Sequence, residues 1–234
     1  MMDASYLKLL RRAIDQYQMI QKGDRILVGV SGGKDSSLLF YGLHQLSKWK
    51  IYDFEVVGLT VDHGMLGHME AFDVYCHQEG LRREIHTEHY AVNLKEASAF
   101  APCYTCSRLR KGIIKRYAIE NGFNKIALGH TKDDIVETFM MNIIQHGKIA
   151  TMKPVSEDES GVVMIRPLML MDEVTIKRLV NQMEIPLMED LCEFSRGKVR
   201  SQSEKLIQEI ELTVPSFSDK VVKALSNVDT DRLL

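Results

Sequence analysis

The feature that most constrains this fold is the segment SGGKDS at residues 31–36. It follows directly on an apolar, strand-like run at 26–30 and leads into a helix-patterned stretch. Two consecutive glycines carry no side chains and can adopt backbone angles closed to other residues, so main-chain N–H groups can converge on an anion there. The partial positive charge of the following helix N-terminus favours the same ligand. The junction therefore predicts a phosphate cradle formed by Ser31, Gly32, Gly33, Lys34, Asp35 and Ser36.

The spacing of this segment distinguishes it from two other phosphate-binding turns. It lacks the four-residue gap of G-x-x-x-x-G-K-[ST] and the pattern G-x-G-x-x-G of dinucleotide-binding folds. It resembles instead the PP-loop, SGGxDS, of ATP pyrophosphatases, and that resemblance implies cleavage of ATP between its α and β phosphates. An ordinary Gly-Gly turn is the competing interpretation. Six matched positions at a strand-to-helix junction favour the PP-loop.

Strand-like and helix-like segments alternate along most of the chain. Helix-patterned stretches that end at Gly80, Gly122 and Gly147 separate the strand-like runs. This alternation predicts an α/β fold with a parallel sheet and helices on both of its faces. In such sheets, ligands collect beyond the carboxyl ends of the strands. Five strands are expected, at residues 26–30, 54–61, 83–86, 125–128 and 162–165.

The chain is expected to divide into three parts. An amphipathic helix lies within residues 1–22, a PP-loop domain spans 23–170, and a helical extension that carries Cys192 spans 171–234. The acidic segment at 156–161 is typical of a hairpin or a crossover turn.

Composition limits the classes of function that the chain can have. With 234 residues and 45% hydrophobic content it can bury a sizeable core. A formal net charge of −2 excludes a bulk polycation, so contact with nucleic acid needs local basic patches. No apolar run approaches the ~20 residues that cross a bilayer, and no signal-peptide core is evident, so we expect a cytoplasmic protein without membrane contact.

Two further segments that follow strand ends are candidates for nucleotide binding. The first can offer backbone and side-chain groups to a purine, although an ordinary strand-end turn is the alternative. The second includes a histidine that could transfer a proton or hydrogen-bond a phosphate, because its unperturbed pKa is ~6.5. The candidate residues are Asp62, His63, Gly129 and His130.

Two carboxylates, Asp133 and Asp134, open the helix that follows the fourth strand. Acidic residues are common in a first helical turn because they complement the helix dipole. The functional alternative is a magnesium site on bound ATP, since Mg²⁺ prefers oxygen ligands and usually binds one or two carboxylates together with phosphates. Convergence with the PP-loop in one crevice favours the magnesium site.

The cysteines form a third candidate site. Cys103 and Cys106 are spaced C-x-x-C, which is compatible with a redox pair, half of a zinc site or part of an iron–sulfur site. Cys76 lies on a helix face and is expected to be a packed thiol. Cys192 lies in a loop, where burial is less expected, so three cysteines form the natural set.

A basic run follows the C-x-x-C, with five cations within nine residues. Most charge runs are solvated helix faces. In a chain of net negative charge, however, a cluster that brackets both cysteine segments favours contact with a phosphate backbone. The candidate residues for this contact are Arg108, Arg110, Lys111, Lys115, Arg116, Arg196, Lys198 and Arg200.

The ordered motifs together resemble one family, the tRNA 2-thiocytidine synthetases, or tRNA-cytidine 2-sulfurtransferases. The likeness covers nearly the whole chain. One departure is Cys192-Glu193-Phe194-Ser195, where the family often reads C-G-S-Q. The motifs are SGGKDS at 31–36, the C-x-x-C at 103–106, ALGHTKDD at 127–134, IRPL at 165–168 and the lone Cys192.

The resemblance implies an adenine nucleotide alpha hydrolase-like sheet and ATP-dependent insertion of sulfur at C2 of an anticodon-loop cytidine. It implies Mg²⁺ and a [4Fe-4S] cluster on Cys103, Cys106 and Cys192, with tRNA as partner. A cysteine desulfurase or free sulfide would donate the sulfur, and the oligomeric state, including a homodimer, stays open. The expected catalytic residues are Lys34, Asp35, Asp133, Asp134, Cys103, Cys106 and Cys192.

Competing functions share parts of this pattern. Thiolation of a tRNA uridine is close, but the proteins of that branch typically carry additional zinc-binding cysteines. tRNA lysidine synthetase uses the same adenylation and has no need for three cysteines. A nucleotide- and cluster-binding sensor without turnover and a zinc-bound redox protein belong to different classes.

Overall fold

The computed structural model describes residues 5–49, 52–64, 66–67, 69–90, 102–188 and 200–232, without the side chains of residues 5, 102–104 and 200–202. Within these ranges the strands are β1 (Arg25–Gly29), β2 (Glu55–Asp62), β3 (Arg83–Thr87), β4 (Lys125–Ala127), β5 (Val155–Glu157) and β6 (Val163–Ile165). The helices are α1 (Ser5–Gln16), α2 (Lys34–Ser47), α3 (Glu70–Glu79), α4 (Pro102–Glu120), α5 (Lys132–His146), α6 (Glu173–Gln182), α7 (Arg200–Thr213) and α8 (Phe217–Leu225), followed by a 3₁₀ turn at Thr230–Arg232.

The strands form one sheet in the order β3-β2-β1-β4-β6-β5. All neighbouring pairs are parallel except β5 and β6, which are antiparallel. The predicted parallel α/β fold is confirmed, but the predicted count of five strands is wrong, because the described sheet has six. The missed strand, β5, has three residues, of which only Val155 is apolar, and it lies at the sheet edge, so no periodic pattern marks it. The acidic segment at 156–161 contributes to the hairpin that joins β5 to β6.

Both faces of the sheet are covered by helices. In β1, Ile26 and Val28 pack into a core with residues of α1, α2 and α6, whereas Leu27 packs into a second core with residues of α4. Successive side chains of a strand point to opposite faces, so β1 serves both cores. A strand buried on both faces reads as the continuous apolar run that the sequence shows at 26–30.

The N-terminal and C-terminal helices contact the helices that flank the sheet. Gly42 of α2 allows α1 to approach closely, since a Cβ at Gly42 would lie 2.8 Å from Leu10 Cδ2. Lys132 at the start of α5 is 2.8 Å from Asp219 of α8 and 3.4 Å from Asp172, which precedes α6. The predicted C-terminal helices are therefore present and are linked to the strand ends. Over the part of the chain that the structure describes, no helix is both long and apolar enough to cross a bilayer.

Candidate active site at the carboxyl edge of the sheet

The segment 31–36 lies at the predicted strand-to-helix junction: residues 30–33 connect β1 to α2, and residues 34–36 begin α2. Ser36 Oγ donates to the carbonyl of Gly33 at 3.1 Å, accepts from the N–H of Ser31 at 3.1 Å and lies 3.0 Å from Ser31 Oγ. Gly33 caps α2, and no described side chain caps the helix there. The first N–H groups of a helix have no intrahelical partner, so this turn presents donors suited to an anion.

The PP-loop is backed by the segment that follows α6. Gly32 has a φ of +82°, in the left-handed region that favours glycine. A Cβ on Gly32 would lie 2.3 Å from Met188 Cε, and the Met188 N–H donates to the carbonyl of Gly32 at 3.0 Å. Glycine is therefore required at residue 32 by its backbone angle and by the close packing of Met188.

Charged side chains meet at the base of the loop. Lys34 Nζ lies 2.7 Å from Glu173 Oε1 and 3.2 Å from Asp35 Oδ2. Burial disfavours the charged ammonium, but the carboxylates of Glu173 and Asp35 outweigh it and raise the pKa of Lys34. Lys34 is therefore held as a cation at the mouth of the phosphate cradle.

The negative charge of Asp35 is only partly compensated by the ammonium group of Lys34. Burial, together with the charges of Asp134 and Glu173, raises the pKa of the Asp35 carboxyl despite the neighbouring ammonium. Its Oδ1 atom is buried and makes no hydrogen bond within the described ranges. A cation or a ligand donor next to Asp35 would relieve both conditions.

A cavity of about 240 Å³ opens beside the loop. Its volume is close to the lower end of the ~300–1,000 Å³ typical of small-molecule sites. Its lining includes PP-loop residues and Gly129, Thr60 and Val61 at the end of β2, and Arg110 and Ile114 of α4. α2 and α4 pack on opposite faces of the sheet, so the PP-loop and α4 approach the cavity from different sides. Residues from three strand ends thus converge on one crevice, as expected for an open α/β sheet.

Asp62 and His63 occupy the turn that leaves β2. Asp62 Oδ1 accepts the N–H of Gly64 at 2.8 Å, and His63 is buried with its ring 5.9 Å from the ring of Tyr90. The cavity is lined by the preceding residues, Thr60 and Val61. Nucleotide contact by Asp62 and His63 stays a prediction.

Gly129 and His130 line the cavity at the end of β4. A Cβ on Gly129 would lie 3.0 Å from the backbone nitrogen of Ser36, so glycine allows the two loops to approach closely. The next two carboxylates each cap a helix. Asp134 Oδ2 accepts the N–H of Thr131 at 2.9 Å in a capping box of α5. Asp133 Oδ2 accepts the N–H of Glu173, at the start of α6, at 2.7 Å. A magnesium role for either carboxylate stays a prediction.

Cys106 is a half-buried free thiol on α4. Its Sγ lies 3.6 Å from the hydroxyl oxygen of Tyr90 and 3.8 Å from Arg110 Nη2, and Arg110 in turn lines the cavity. Cys103 is three residues earlier on the same helix, and its side chain is outside the described part of the chain. Cys192 also lies outside the described residues. Cys76 is buried, and burial raises its pKa to about 11, as expected for a packed thiol.

The predicted tRNA-binding residues on α4 do not share one environment. Arg108, Lys111 and Arg116 are exposed, and Arg116 pairs with Glu88 at 2.5 Å. Lys115 pairs with Asp158 at 2.7 Å. Arg110 turns inward to the cavity, Arg196 and Lys198 lie outside the described ranges, and Arg200 begins α7 with its side chain undescribed.

Two contributions to the site were not predicted from the sequence. Thr60 and Val61 line the cavity, but β2 is buried almost throughout, so no periodic pattern singles them out. Glu173 reaches Lys34 because α6 packs on α2, which no local pattern reveals.

The strand–turn–helix cradle, the close approach of Gly129 and the sheet order define a PP-loop ATP pyrophosphatase-like protein. Residues 6–205 match the family described as the PP-loop domain, and the chain belongs to it. Within that class, the chain belongs to the tRNA-cytidine(32) 2-sulfurtransferase family. It is 36% identical over 228 residues to the member from Legionella pneumophila subsp. pneumophila (strain Philadelphia 1), covering 95% of this chain and 81% of the relative.

Two other relatives carry the same name. The protein from Coxiella burnetii (strain RSA 493) is 33% identical over 230 residues, covering 96% of this chain and 90% of its own. The protein from Mesorhizobium japonicum is 34% identical over 239 residues, covering 97% and 79% respectively. The family resemblance inferred from the ordered motifs is therefore confirmed.

Solved structures support the fold. The U34-tRNA thiolase NcsA from Methanococcus maripaludis, solved with its [4Fe-4S] cluster, superposes with a TM-score of 0.78 at 24% identity, covering 94% of this chain and 76% of that one. NMN synthetase from Francisella tularensis superposes with a TM-score of 0.56 at 13% identity, covering 99% and 97%. Such likeness establishes a shared α/β architecture.

Proposed function

We propose that this chain is an ATP-dependent tRNA thiolase that replaces the C2 oxygen of an anticodon-loop cytidine with sulfur. One observation carries the proposal: Arg110 lines the same cavity as the PP-loop, and its Nη2 lies 3.8 Å from Cys106 Sγ. A candidate site for sulfur is thus one side chain away from a candidate site for ATP. The relatives named tRNA-cytidine(32) 2-sulfurtransferase support cytidine as the target.

ATP is needed because a pyrimidine C2 carbonyl is a poor electrophile with a poor leaving group. The C2 oxygen attacks the α-phosphorus, the bond to the bridging oxygen breaks, and pyrophosphate leaves with that electron pair. The oxygen then belongs to AMP, which is a good leaving group. Lys34 and the N–H groups of the PP-loop would stabilise the charge that develops on the departing pyrophosphate.

Sulfur replaces AMP in the second step. Hydrosulfide attacks C2 and loses its proton, while the C2–O bond breaks and AMP leaves with the electron pair. The product is 2-thiocytidine, and with free sulfide as donor no external oxidant or reductant is consumed. A cysteine desulfurase would deliver the sulfur as a persulfide, and a thiol reductant would release it as hydrosulfide and end as a disulfide. The target base would have to leave its stack in the loop, which costs less in single-stranded RNA than in a duplex.

Cys103, Cys106 and Cys192 would hold an iron–sulfur cluster. The chemistry of Cys106 fits this role, because it is a free, half-buried thiol next to a guanidinium that can compensate a thiolate. A four-iron cluster held by three thiolates supplies one iron that is open to an exogenous sulfide. The U34-tRNA thiolase NcsA, which has this fold, was solved with its [4Fe-4S] cluster.

Magnesium would be held at the acidic side of the cavity. Asp35 has a buried oxygen without a hydrogen-bond partner in the described chain. Burial is the main cause of its raised pKa, and the charge of the neighbouring Asp134 adds to it. Asp133 and Asp134 already cap helices, so Asp35 is the carboxylate best suited to bind a cation. Mg²⁺ would neutralise the phosphates of ATP.

The exposed face of α4 would bind the tRNA backbone. Arg108, Lys111 and Arg116 are exposed there, and phosphates can compete with Glu88 and Asp158 for the paired cations. Lys115, Arg196, Lys198 and Arg200 complete the proposed tRNA-binding set.

The function is tested by incubating the anaerobically purified chain with ATP, Mg²⁺, sulfide and two tRNA transcripts. The transcripts differ only in carrying cytidine or uridine at position 32. We expect AMP and thionucleoside to form in equal amounts with the cytidine transcript alone. Thiolation of the uridine transcript instead would contradict the assignment of the base, and ATP binding without tRNA-dependent AMP would favour a sensor.

The cluster is tested separately by assaying iron, acid-labile sulfide and zinc and by recording the visible spectrum. Cys192→Ala and Cys106→Ala are expected to lose the cluster, whereas Cys76→Ala is expected to keep it. Zinc in place of iron in the wild-type chain would contradict the cluster and favour a redox protein.

A further inference from the structure

Arg110 differs from the other basic residues of its run. Arg108, Lys111 and Arg116 are exposed on α4, whereas Arg110 is largely enclosed and forms part of the cavity wall that faces the PP-loop. A residue that contacts the backbone of a large nucleic acid has to be reachable from solvent. The position of Arg110 favours a small anion inside the cavity.

Neighbouring side chains fix the orientation of Arg110. Its Nη2 lies 3.8 Å from Cys106 Sγ, and the hydroxyl of Tyr90 hydrogen-bonds the guanidinium and lies 3.6 Å from the same sulfur. Tyr90 is itself buried, with its ring 5.9 Å from that of His63. An arginine guanidinium stays protonated in proteins, so these contacts hold a cation in place.

The positive charge of Arg110 is not balanced by a carboxylate in the described part of the chain. Its Nε atom is buried and makes no hydrogen bond with any described residue. An enclosed cation with an unused donor is costly unless an anion compensates it. The cavity next to it is where the PP-loop would place a nucleotide.

Lys34, in contrast, has two carboxylate partners, Asp35 and Glu173. It begins α2 at the loop that would bind pyrophosphate, whereas Arg110 lines the cavity next to Cys106. ATP has its β and γ phosphates at one end and its α phosphate at the reacting centre. The two cations can therefore divide the phosphates between them.

We propose that Arg110 is a catalytic residue whose guanidinium binds the α-phosphate of ATP, while Lys34 and the PP-loop bind the β and γ phosphates. This inference rests on the proposed function for its chemical meaning. When the C2 oxygen attacks the α-phosphorus and pyrophosphate leaves, the α-phosphate keeps its negative charge on the adenylated base. When sulfide displaces AMP, a second charge develops on the same group, and Arg110 stabilises it next to the sulfur site.

The experiment measures binding of adenosine, AMP and ATP to the full-length chain by calorimetry, without tRNA or sulfide. AMP and adenosine differ by the α-phosphate alone, so their affinity ratio reports contact with that group. Arg110→Gln is expected to weaken AMP binding on the order of 10- to 100-fold and to leave adenosine binding unchanged. Arg178→Gln, which removes the same charge from an exposed site on α6, should change neither affinity.

Lys34→Ala provides the complementary result: it should weaken ATP binding more than AMP binding. Arg110→Lys, which keeps the charge but loses the planar set of donors, replaces Arg110→Gln if the glutamine variant does not fold. It is expected to weaken AMP binding about 3- to 10-fold. AMP affinity within two-fold of wild type in a folded Arg110 variant would overturn the inference.

A loss of tRNA affinity in Arg110→Gln with unchanged AMP affinity would also overturn the inference, since it would identify a backbone contact. The AMP measurement does not depend on thiolation. Failure of the wild-type chain to thiolate tRNA would contradict the proposed function alone. The binding measurements would still test whether Arg110 contacts the α-phosphate.

Discussion

The two walls of the cavity are built in different ways. The PP-loop side, here called the main-chain wall, depends on close packing, because an added Cβ at Gly32 or Gly129 would meet other atoms within 3.0 Å. The α4 side, here called the side-chain wall, presents Arg110 to the cavity, and Arg110 contacts Cys106 and Tyr90 behind it. Where the main chain packs closely, an added side chain cannot be accommodated. Where side chains face the cavity, a substitution changes the functional group that is presented there. Disrupting the packing of the first wall should lower both stability and ATP binding, whereas replacing one side chain of the second wall should affect only the steps in which that side chain acts.

The largest effect is expected for Gly32→Ala, which breaks the main-chain wall. The new methyl group would collide with Met188 Cε at 2.3 Å, and alanine is strained at a φ of +82°. We expect a loss of stability of about 2–4 kcal/mol and no measurable ATP binding. Thermal unfolding and calorimetry check both expectations.

Gly112→Ala on α4 is the matched control. No atom lies within 4 Å of its added Cβ, and glycine is unfavourable inside an exposed helix. Stability should rise by about 0.5–1 kcal/mol, with ATP binding retained. Equal behaviour of the two alanine variants would contradict a wall determined by main-chain packing.

Lys34→Ala should remove one charge from the same wall without disturbing its packing. Because the ammonium is expected to bind the departing pyrophosphate, tRNA-dependent formation of AMP should fall about 100-fold or more, with little change in melting temperature. Lys22→Ala, which loses only an exposed pair with Asp53, should keep normal turnover. Normal turnover in Lys34→Ala would contradict the assignment of Lys34 to pyrophosphate binding at the phosphate cradle.

Asp35→Asn should separate stability from activity. Burial, aided by Asp134 and Glu173, raises the pKa of Asp35 in the folded state above its value in the unfolded state. Protonation of Asp35 therefore stabilises the fold at low pH, and this stabilisation is lost as the pH rises through the folded-state pKa. Asparagine does not ionise. The variant should therefore melt higher than wild type at pH 7, by up to about 3 °C, and alike at pH 3.

Turnover of Asp35→Asn should nevertheless fall at pH 7, because a proposed magnesium ligand is lost. Melting curves at the two pH values and an AMP assay give the result. A lower melting temperature than wild type at pH 7 would show that Asp35 stabilises the fold through its pair with Lys34.

The smallest effect is expected for Glu173→Gln. The Glu173 carboxylate is 54% exposed and lies 2.7 Å from Lys34 Nζ, where it competes with phosphate for the same ammonium. Pairs of this exposure contribute little, so ATP affinity should rise no more than about five-fold. Calorimetry with ATP measures the change, and weaker binding would indicate that Glu173 contributes to the nucleotide site directly.

The same contrast explains what the sequence could predict. The main-chain wall lies in one local segment, so residues 31–36 and Gly129 could be assigned from spacing and from the position of the strand ends. The helix-capping role of Asp134 was also visible, because Thr131 and Asp134 have the spacing of a capping box. Local rules of backbone geometry were sufficient for this wall.

The side-chain wall depends on contacts between distant segments. Cys106 and Arg110 are four residues apart and share a helix face, but the sequence could not show that this face meets Tyr90 and the cavity. The contact of Glu173 with Lys34 spans 139 positions and depends on the packing of α6. The edge strand β5 was missed because three residues carry no periodic pattern.

The measurement that most directly tests the account counts AMP and 2-thiocytidine in the same anaerobic reaction with wild type, Cys106→Ala and Cys76→Ala. If Cys106 serves sulfur transfer and not adenylation, Cys106→Ala still forms AMP with tRNA and ATP but no 2-thiocytidine. Cys76→Ala should form both in equal amounts, because its thiol is buried in the core. Normal 2-thiocytidine from Cys106→Ala would contradict the account.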